Sequence, residues 1–137
     1  EVHEDDFLWG VNWGGAGYDW VNDVGGDLWG NPFVAGGFTG TVDFDPTMEV
    51  DSHESNGQMD CFVSSYQIDS SYLWAFTWGS AEEDQALGIC GGEWTQSHTT
   101  GFFKETVNFS PEAGEDNHES EGAEDAFLLR LEGDGHW

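Results

Sequence analysis

Positive charge is nearly absent from this chain. Lys104 and Arg130 stand alone against 28 acidic residues, and the formal net charge is -26. Binding to a phosphate backbone runs on Lys and Arg contacts that release counterions, and an anionic lipid surface needs the same residues. Nucleic acid and membrane surfaces are therefore poor partners. A long apolar run is also missing: no stretch approaches the roughly 18 residues that a membrane-spanning helix requires. Cysteine is scarce, and Cys61 and Cys90 lack the CxxC spacing of a zinc or thioredoxin-like site. One disulfide or two buried thiols would each fit that pair. The catalytic signatures GxSxG and HExxH and a Gly-rich phosphate loop are absent, and with so many carboxylates their pairing carries no information. The chain is read as not an enzyme. It begins EVHEDD, without an initiator Met or signal-peptide pattern, and so reads as a mature product or an excised domain.

What is abundant is aromatic: 8 Trp and 10 Phe, with 20 Gly against 3 Pro. Short β-branched and aromatic runs cut by Gly, Asp and Ser point to many short strands, and no helical period is sustained. The class expected is all-β, in a single domain over 1–137. Self-repulsion at this net charge opposes folding and assembly unless salt or divalent cations screen it, which points to a saline or calcium-containing setting.

The sequence repeats with a period near 65. Trp9, Trp13 and Trp29 recur as Trp74, Trp78 and Trp94, His53-Glu54-Ser55 as His118-Glu119-Ser120, and Asp60 and Phe62 as Asp125 and Phe127. Thr41 to Pro46 returns as Thr106 to Pro111 with an Asn and a Ser replacing two Asp. Such a series is a tandem of two supersecondary units. Strands are expected at Trp20 to Val24, Phe33 to Phe38, Thr41 to Phe44, Cys61 to Ile68 and Tyr72 to Trp78. Period-two alternation puts Trp74, Phe76 and Trp78 on one face, as it does Trp9, Val11 and Trp13 near the N-terminus.

WGGAGYDW, then FVAGGFTGTVDFDP, then SNGQMDCFVSSYQIDSSYLWAFTWGS resembles the SBBP-type β-propeller repeats of secreted bacterial proteins. The second copy departs with NFSP for DFDP, and the usual Lys of the Asp-Ala-Phe strand is missing from both copies. The resemblance implies four-stranded blades packed round an axis, an extracellular or cell-surface setting and no enzymatic activity. On that frame residues 1–15 are the last strand of a composite blade, 16–80 the first repeat, and 81–137 a second, incomplete repeat. The chain is thus expected to carry two propeller-type four-stranded blades completed by strand exchange between subunits. Phe7, Trp9, Val11 and Trp13 of one copy would meet Asp125, Phe127, Leu129 and Leu131 of the next, closing a ring or running on as a filament. The alternative is a two-repeat excerpt of a longer protein.

Three further site readings follow from the residues. Calcium would take the carboxylates of the long acidic loop, Asp43, Asp45, Glu49, Asp51 and Glu54, with Glu112, Glu115, Asp116, Glu119 and Glu121 in the second copy. No EF-hand or nonapeptide pattern accompanies them, and ordinary solvated surface accounts for the same residues. His53 and His118 each lack a second His at metal-site spacing, and inheritance by repetition explains their recurrence. Trp20, Trp29 and Trp94 lie near loop ends, where indole faces could stack on pyranose rings in a lectin-like, carbohydrate-binding module. Assembly with other copies of itself, as a structural or scaffold protein, is the first functional expectation; glycan binding is the alternative.

Overall fold

The strands expected between Trp20 and Trp78 all form, bounded by the Gly, Asp and Ser turns that separate the apolar runs. In chain order they are β1 (Gly14–Gly15), β2 (Asp19–Gly26), β3 (Pro32–Phe38), β4 (Thr41–Asp43), β5 (Ser52–Glu54), β6 (Asp60–Tyr66), β7 (Tyr72–Trp78), β8 (Gln85–Gly91), β9 (Ser97–Phe103), β10 (Thr106–Asn108), β11 (Asn117–Glu119) and β12 (Asp125–Leu131). The computed structural model describes residues 7–133, apart from the side chain of Trp94. Among the described residues there is no α-helix, only a 3-10 turn at Glu93–Thr95, and the class is all-β.

The first repeat folds into a four-stranded antiparallel sheet in the order β2-β3-β6-β7, and the second into a three-stranded sheet in the order β12-β9-β8. The tight turns are held by side chains. Asp27 Oδ1 accepts from the Trp29 and Asn31 amides at 2.9 Å each, with Gly30 at φ 83 completing the reversal between β2 and β3. Between β6 and β7, Asp69 Oδ1 accepts from the Ser71 amide at 3.0 Å. Each sheet carries a bulge in its first strand, at Asn22 in β2 and at Leu87 in β8. The next strand must then pass very close, which only glycine allows: a Cβ on Gly36 would fall 1.8 Å from the Trp20 carbonyl oxygen, and one on Gly101 1.9 Å from that of Gln85.

The two sheets pack face to face. Phe33, Ala35, Cys61, Val63, Phe76 and Trp78 of the first meet Ala86, Ile89, Phe103, Phe127, Leu129 and Leu131 of the second. Asp23 Oδ2 also accepts from the Ile89 amide at 2.8 Å, pinning β2 to β8. A second apolar cluster lies on the opposite face of the first sheet, built on Val34, Phe38, Phe62, Tyr66 and Ala75, with Val11 and Trp13 packed against it. β4 and the loop after it contribute Val42 and Phe44 to this cluster, and β10 and its loop contribute Val107 and Phe109 to the other. The partner strands β5 and β11 were hidden in what reads as a long acidic loop.

One expectation needs correction. Residues 7–13 are not a strand in the single chain, because no backbone lies alongside to take their hydrogen bonds; only Gly14–Gly15 pairs, with β4. The second sheet has three strands, as an incomplete second repeat implies: among the described residues nothing pairs with the free edge of β12. Residues 1–6 and 134–137, also assigned to the expected blades, lie outside the described residues.

Candidate assembly site

β12 leaves one edge open, and beside it runs a groove of about 380 Å³ walled by Phe109, Asp116, His118 and the β12 residues Ala126 to Arg130. Its wall is a copy of a wall in the first repeat. His118 Nε2 lies 3.1 Å from Asp116 Oδ1, as His53 Nε2 lies 3.1 Å from Asp51 Oδ1. Phe109 meets the His118 ring edge-on at 5.5 Å, as Phe44 meets His53. In the first repeat the corresponding space is filled by β7. There Thr77 Oγ1 sits 2.9 Å from His53 Nδ1, and the Tyr72 hydroxyl donates to the Asp51 carboxylate, a buried arrangement that raises the phenol's pKa well above its ordinary value. By the repeat, the groove along β12 corresponds to the space that β7 fills beside β6.

The segment 7–13, although not a strand, is seated on the first sheet by its side chains. Trp9 Nε1 donates to the Ile68 carbonyl at 2.9 Å, and Trp74 of β7 donates to the Gly133 carbonyl at 2.9 Å. Donors and acceptors are both 65 residues apart in sequence. Trp13 approaches Phe62 edge-on, with centroids 6.4 Å apart and planes at 85°; Trp78 approaches Phe127 at 5.6 Å and 85°. The segment therefore lies on the first sheet as β7 lies on the second. It differs from β7 in having no sheet of its own.

The expected interface residues divide accordingly. Phe7 is exposed, Trp9 is still partly so, and Val11 and Trp13 are half-buried on the first sheet. Phe127, Leu129 and Leu131 are buried in the chain's own inter-sheet core, so their side chains are already used. What β12 still offers is its backbone edge and the opposite face, Ala126, Leu128 and Arg130. Asp125 is half-buried, and its Oδ2 accepts from the Glu121 amide at 3.1 Å.

The remaining candidates are dispersed. Trp20 is exposed at the start of β2, with Tyr18 6.3 Å away, while Trp29 is exposed in the turn past its other end. At about 3.3 Å per residue they stand roughly 20 Å or more apart along the strand, too far for one sugar ring to touch both. Trp94 lies in the 3-10 turn, and its side chain is outside the described residues. Cys61 and Cys90 are both free: Cys61 is buried between the sheets, where burial pushes its thiol pKa up, and Cys90 is exposed on β8. Neither a disulfide nor a pair of buried thiols describes them.

Carboxylates hold the loops rather than converge. Asp43 Oδ1 accepts from the amides of Asp45 and Asp51, and Asn108 does the same for Ser110 and Asp116. Asp45 accepts from the Thr47 amide, while Glu49 and Glu54 are exposed. Among the described residues no three His, Cys, Asp or Glu side chains gather as a metal site. Charge screening then sets the expected ion response: the melting temperature climbs with sodium chloride, and calcium and magnesium chloride at one concentration raise it alike. A rise several degrees larger with calcium would assign a specific site to these carboxylates. Comparison of the chain with protein-family models, with curated proteins and with solved structures finds no match.

Proposed function

We propose that the protein is a non-catalytic structural component that assembles head to tail, the segment 7–13 of one copy entering the groove of the next as the fourth strand of its second sheet. The carrying observation is the duplicated seating of Trp9 and Trp13 against Trp74 and Trp78, with the open edge of β12 as its complement. β6 and β7 supply the register. Cys61 pairs with Trp78, Val63 with Phe76 and Ser65 with Trp74; carried over by the repeat, Ala126 faces Trp13, Leu128 faces Val11 and Arg130 faces Trp9 of the incoming strand. Residues directly opposite share a face in an antiparallel pair, so the Arg130 guanidinium comes to the Trp9 indole, a cation–π pairing worth about 0.5–2 kcal/mol. Asn12, at the place of Thr77, reaches His118. The resulting unit would be a propeller-type blade built across two copies, and the likeness to repeats of secreted proteins supports an extracellular setting. The contact is heterologous, so it closes as a ring or extends as a filament according to the rotation per copy.

The test is the size of the purified protein in sufficient salt to screen its charge. The full chain should sediment as an oligomer, and removal of residues 1–13 should leave a monomer. A peptide of residues 7–15 should bind the shortened chain, with a change in tryptophan emission. An unchanged oligomer after the deletion, together with no peptide binding, would sink the proposal.

A further inference from the structure

Strand pairing along an edge leaves two sheet faces unaccounted for, and the repeat says what each should look like when covered. On β8, Ala86 and Ile89 face the first sheet and are 0% and 8% exposed. Their counterparts on β2, Val21 and Val24, are 58% and 62% exposed. On β6, Cys61 and Val63 face the second sheet and are fully buried; of their counterparts on β12, Ala126 is exposed and Leu128 is 76% exposed. The chain thus displays at one end the half of a sheet–sheet interface that it buries at the other.

We infer that these two faces are one docking surface whose occupant is a second copy of this chain, β2 of one copy packing on the β8-β9-β12 sheet of the next as β8 packs on the first sheet within one chain. The inference rests on the head-to-tail reading above and adds a face-to-face contact to its edge-to-edge one. The intramolecular interface is the template, and the residues show where the copy departs from it. Gly25 lets β8 come close, a Cβ there lying 2.9 Å from the Ile89 carbonyl oxygen and 3.1 Å from Cys90 Cα. The equivalent position on the second sheet is Cys90, whose side chain keeps the incoming β2 further out. Gly88 stands at the position of Asp23, so the hydrogen bond to the Ile89 amide is not repeated; the Val24 amide that would need it is already held by its own Asp23 Oδ1 at 2.9 Å. His98 and Thr100 replace Phe33 and Ala35. The interface between copies is accordingly more polar and looser than the one within the chain, as suits a contact made after folding.

Cys90 makes the arrangement measurable. It is an exposed thiol on the face to be covered, whereas Cys61 is buried in either state. Thiol labelling with a small aromatic disulfide should modify Cys90 in the chain lacking residues 1–13 and spare it in the assembled full chain. Val24→Glu and Leu128→Glu, both at exposed positions and so expected to keep the wild-type circular dichroism spectrum, should each raise the concentration needed for assembly at least tenfold. Met48→Glu, which adds the same charge at a fully exposed site, should leave that concentration unchanged. The peptide of residues 7–15 should still bind the shortened chain carrying Val24→Glu. Assembly of both variants at the wild-type concentration, with Cys90 labelled throughout, overturns the face contact and leaves strand entry standing. Failure of the wild-type chain to assemble, with no peptide binding, overturns both.

Discussion

Replacing Trp78 with Ala should cost about 3–5 kcal/mol of stability, the range for truncating a large buried aromatic, whereas the same change at Trp13 should leave the fold standing and remove assembly. Trp78 is buried between the sheets, 5.6 Å from Phe76 and edge-on to Phe127 at 5.6 Å. Its loss opens a cavity at the center of the inter-sheet core, and for a chain of this size the melting temperature should fall by roughly 10 °C or more. Trp13 occupies the equivalent place on the first sheet but is only half-buried, held to Tyr66 at 5.4 Å and to Phe62. Two tryptophans related by the repeat therefore separate fold from assembly. Trp78→Phe is the informative control. The buried Trp78 Nε1 has no hydrogen-bond partner, so phenylalanine removes an unsatisfied donor while keeping much of the ring, and should cost well under half of the alanine change. Thermal denaturation checks all three, and a Trp78→Ala chain within about 1 kcal/mol of wild type would contradict the packing of the two sheets.

The repeat made most of this readable in advance, because aromatic residues 65 apart keep the same neighbors. Strand β7 occupies Tyr72–Trp78 as alternation predicts, and β3 and β6 lie within two residues of their expected bounds. Seating of the N-terminal segment was half legible. Its apolar face was evident from Trp9, Val11 and Trp13, but whether a segment is a strand depends on a hydrogen-bonding neighbor, which periodicity cannot report. The acidic loop was legible only in part. Asp43 looks like a cation ligand in sequence, and its Oδ1 also holds two amides of its own loop, a short-range structural task. Asn108 at the second copy's position performs that task without charge, and the substitution is a sign, visible in the sequence, that holding these amides does not need the charge. The face contact depends on comparing exposures at equivalent positions, a quantity available only once one copy of the interface is seen buried.

Acid should stabilise this chain, and Asp60 should be the chief single source of the effect. Asp60 begins β6 in a buried position, where loss of solvent, opposed by the Asn56 amide and reinforced by the nearby Asp84 carboxylate, lifts its pKa from 3.8 to about 6. One oxygen accepts from the Asn56 amide and side chain at 3.0 Å each; the other, buried and without a partner, is the place for a proton. Asp84 is raised as well, chiefly by burial, but its oxygens are engaged by Ser80 and by the Lys104 amide. With the folded pKa above the unfolded one, folding takes up a proton between these values. The stabilisation is complete below pH 3.8, is lost as the pH rises through about 6, and amounts to roughly 3 kcal/mol across that window. Reduced charge repulsion acts in the same direction, so the wild-type slope alone does not isolate the residue. Asp60→Asn does. It keeps an oxygen for Asn56, removes the buried charge beside Asp84, and should raise stability near neutral pH while flattening the rise between pH 6 and 4. Glu49→Gln, an exposed neutralisation in the acidic loop, should retain the full slope. Urea titrations at pH 4, 5, 6 and 7 compare the three, and an Asp60→Asn chain with the wild-type slope would mean that the proton is taken up elsewhere.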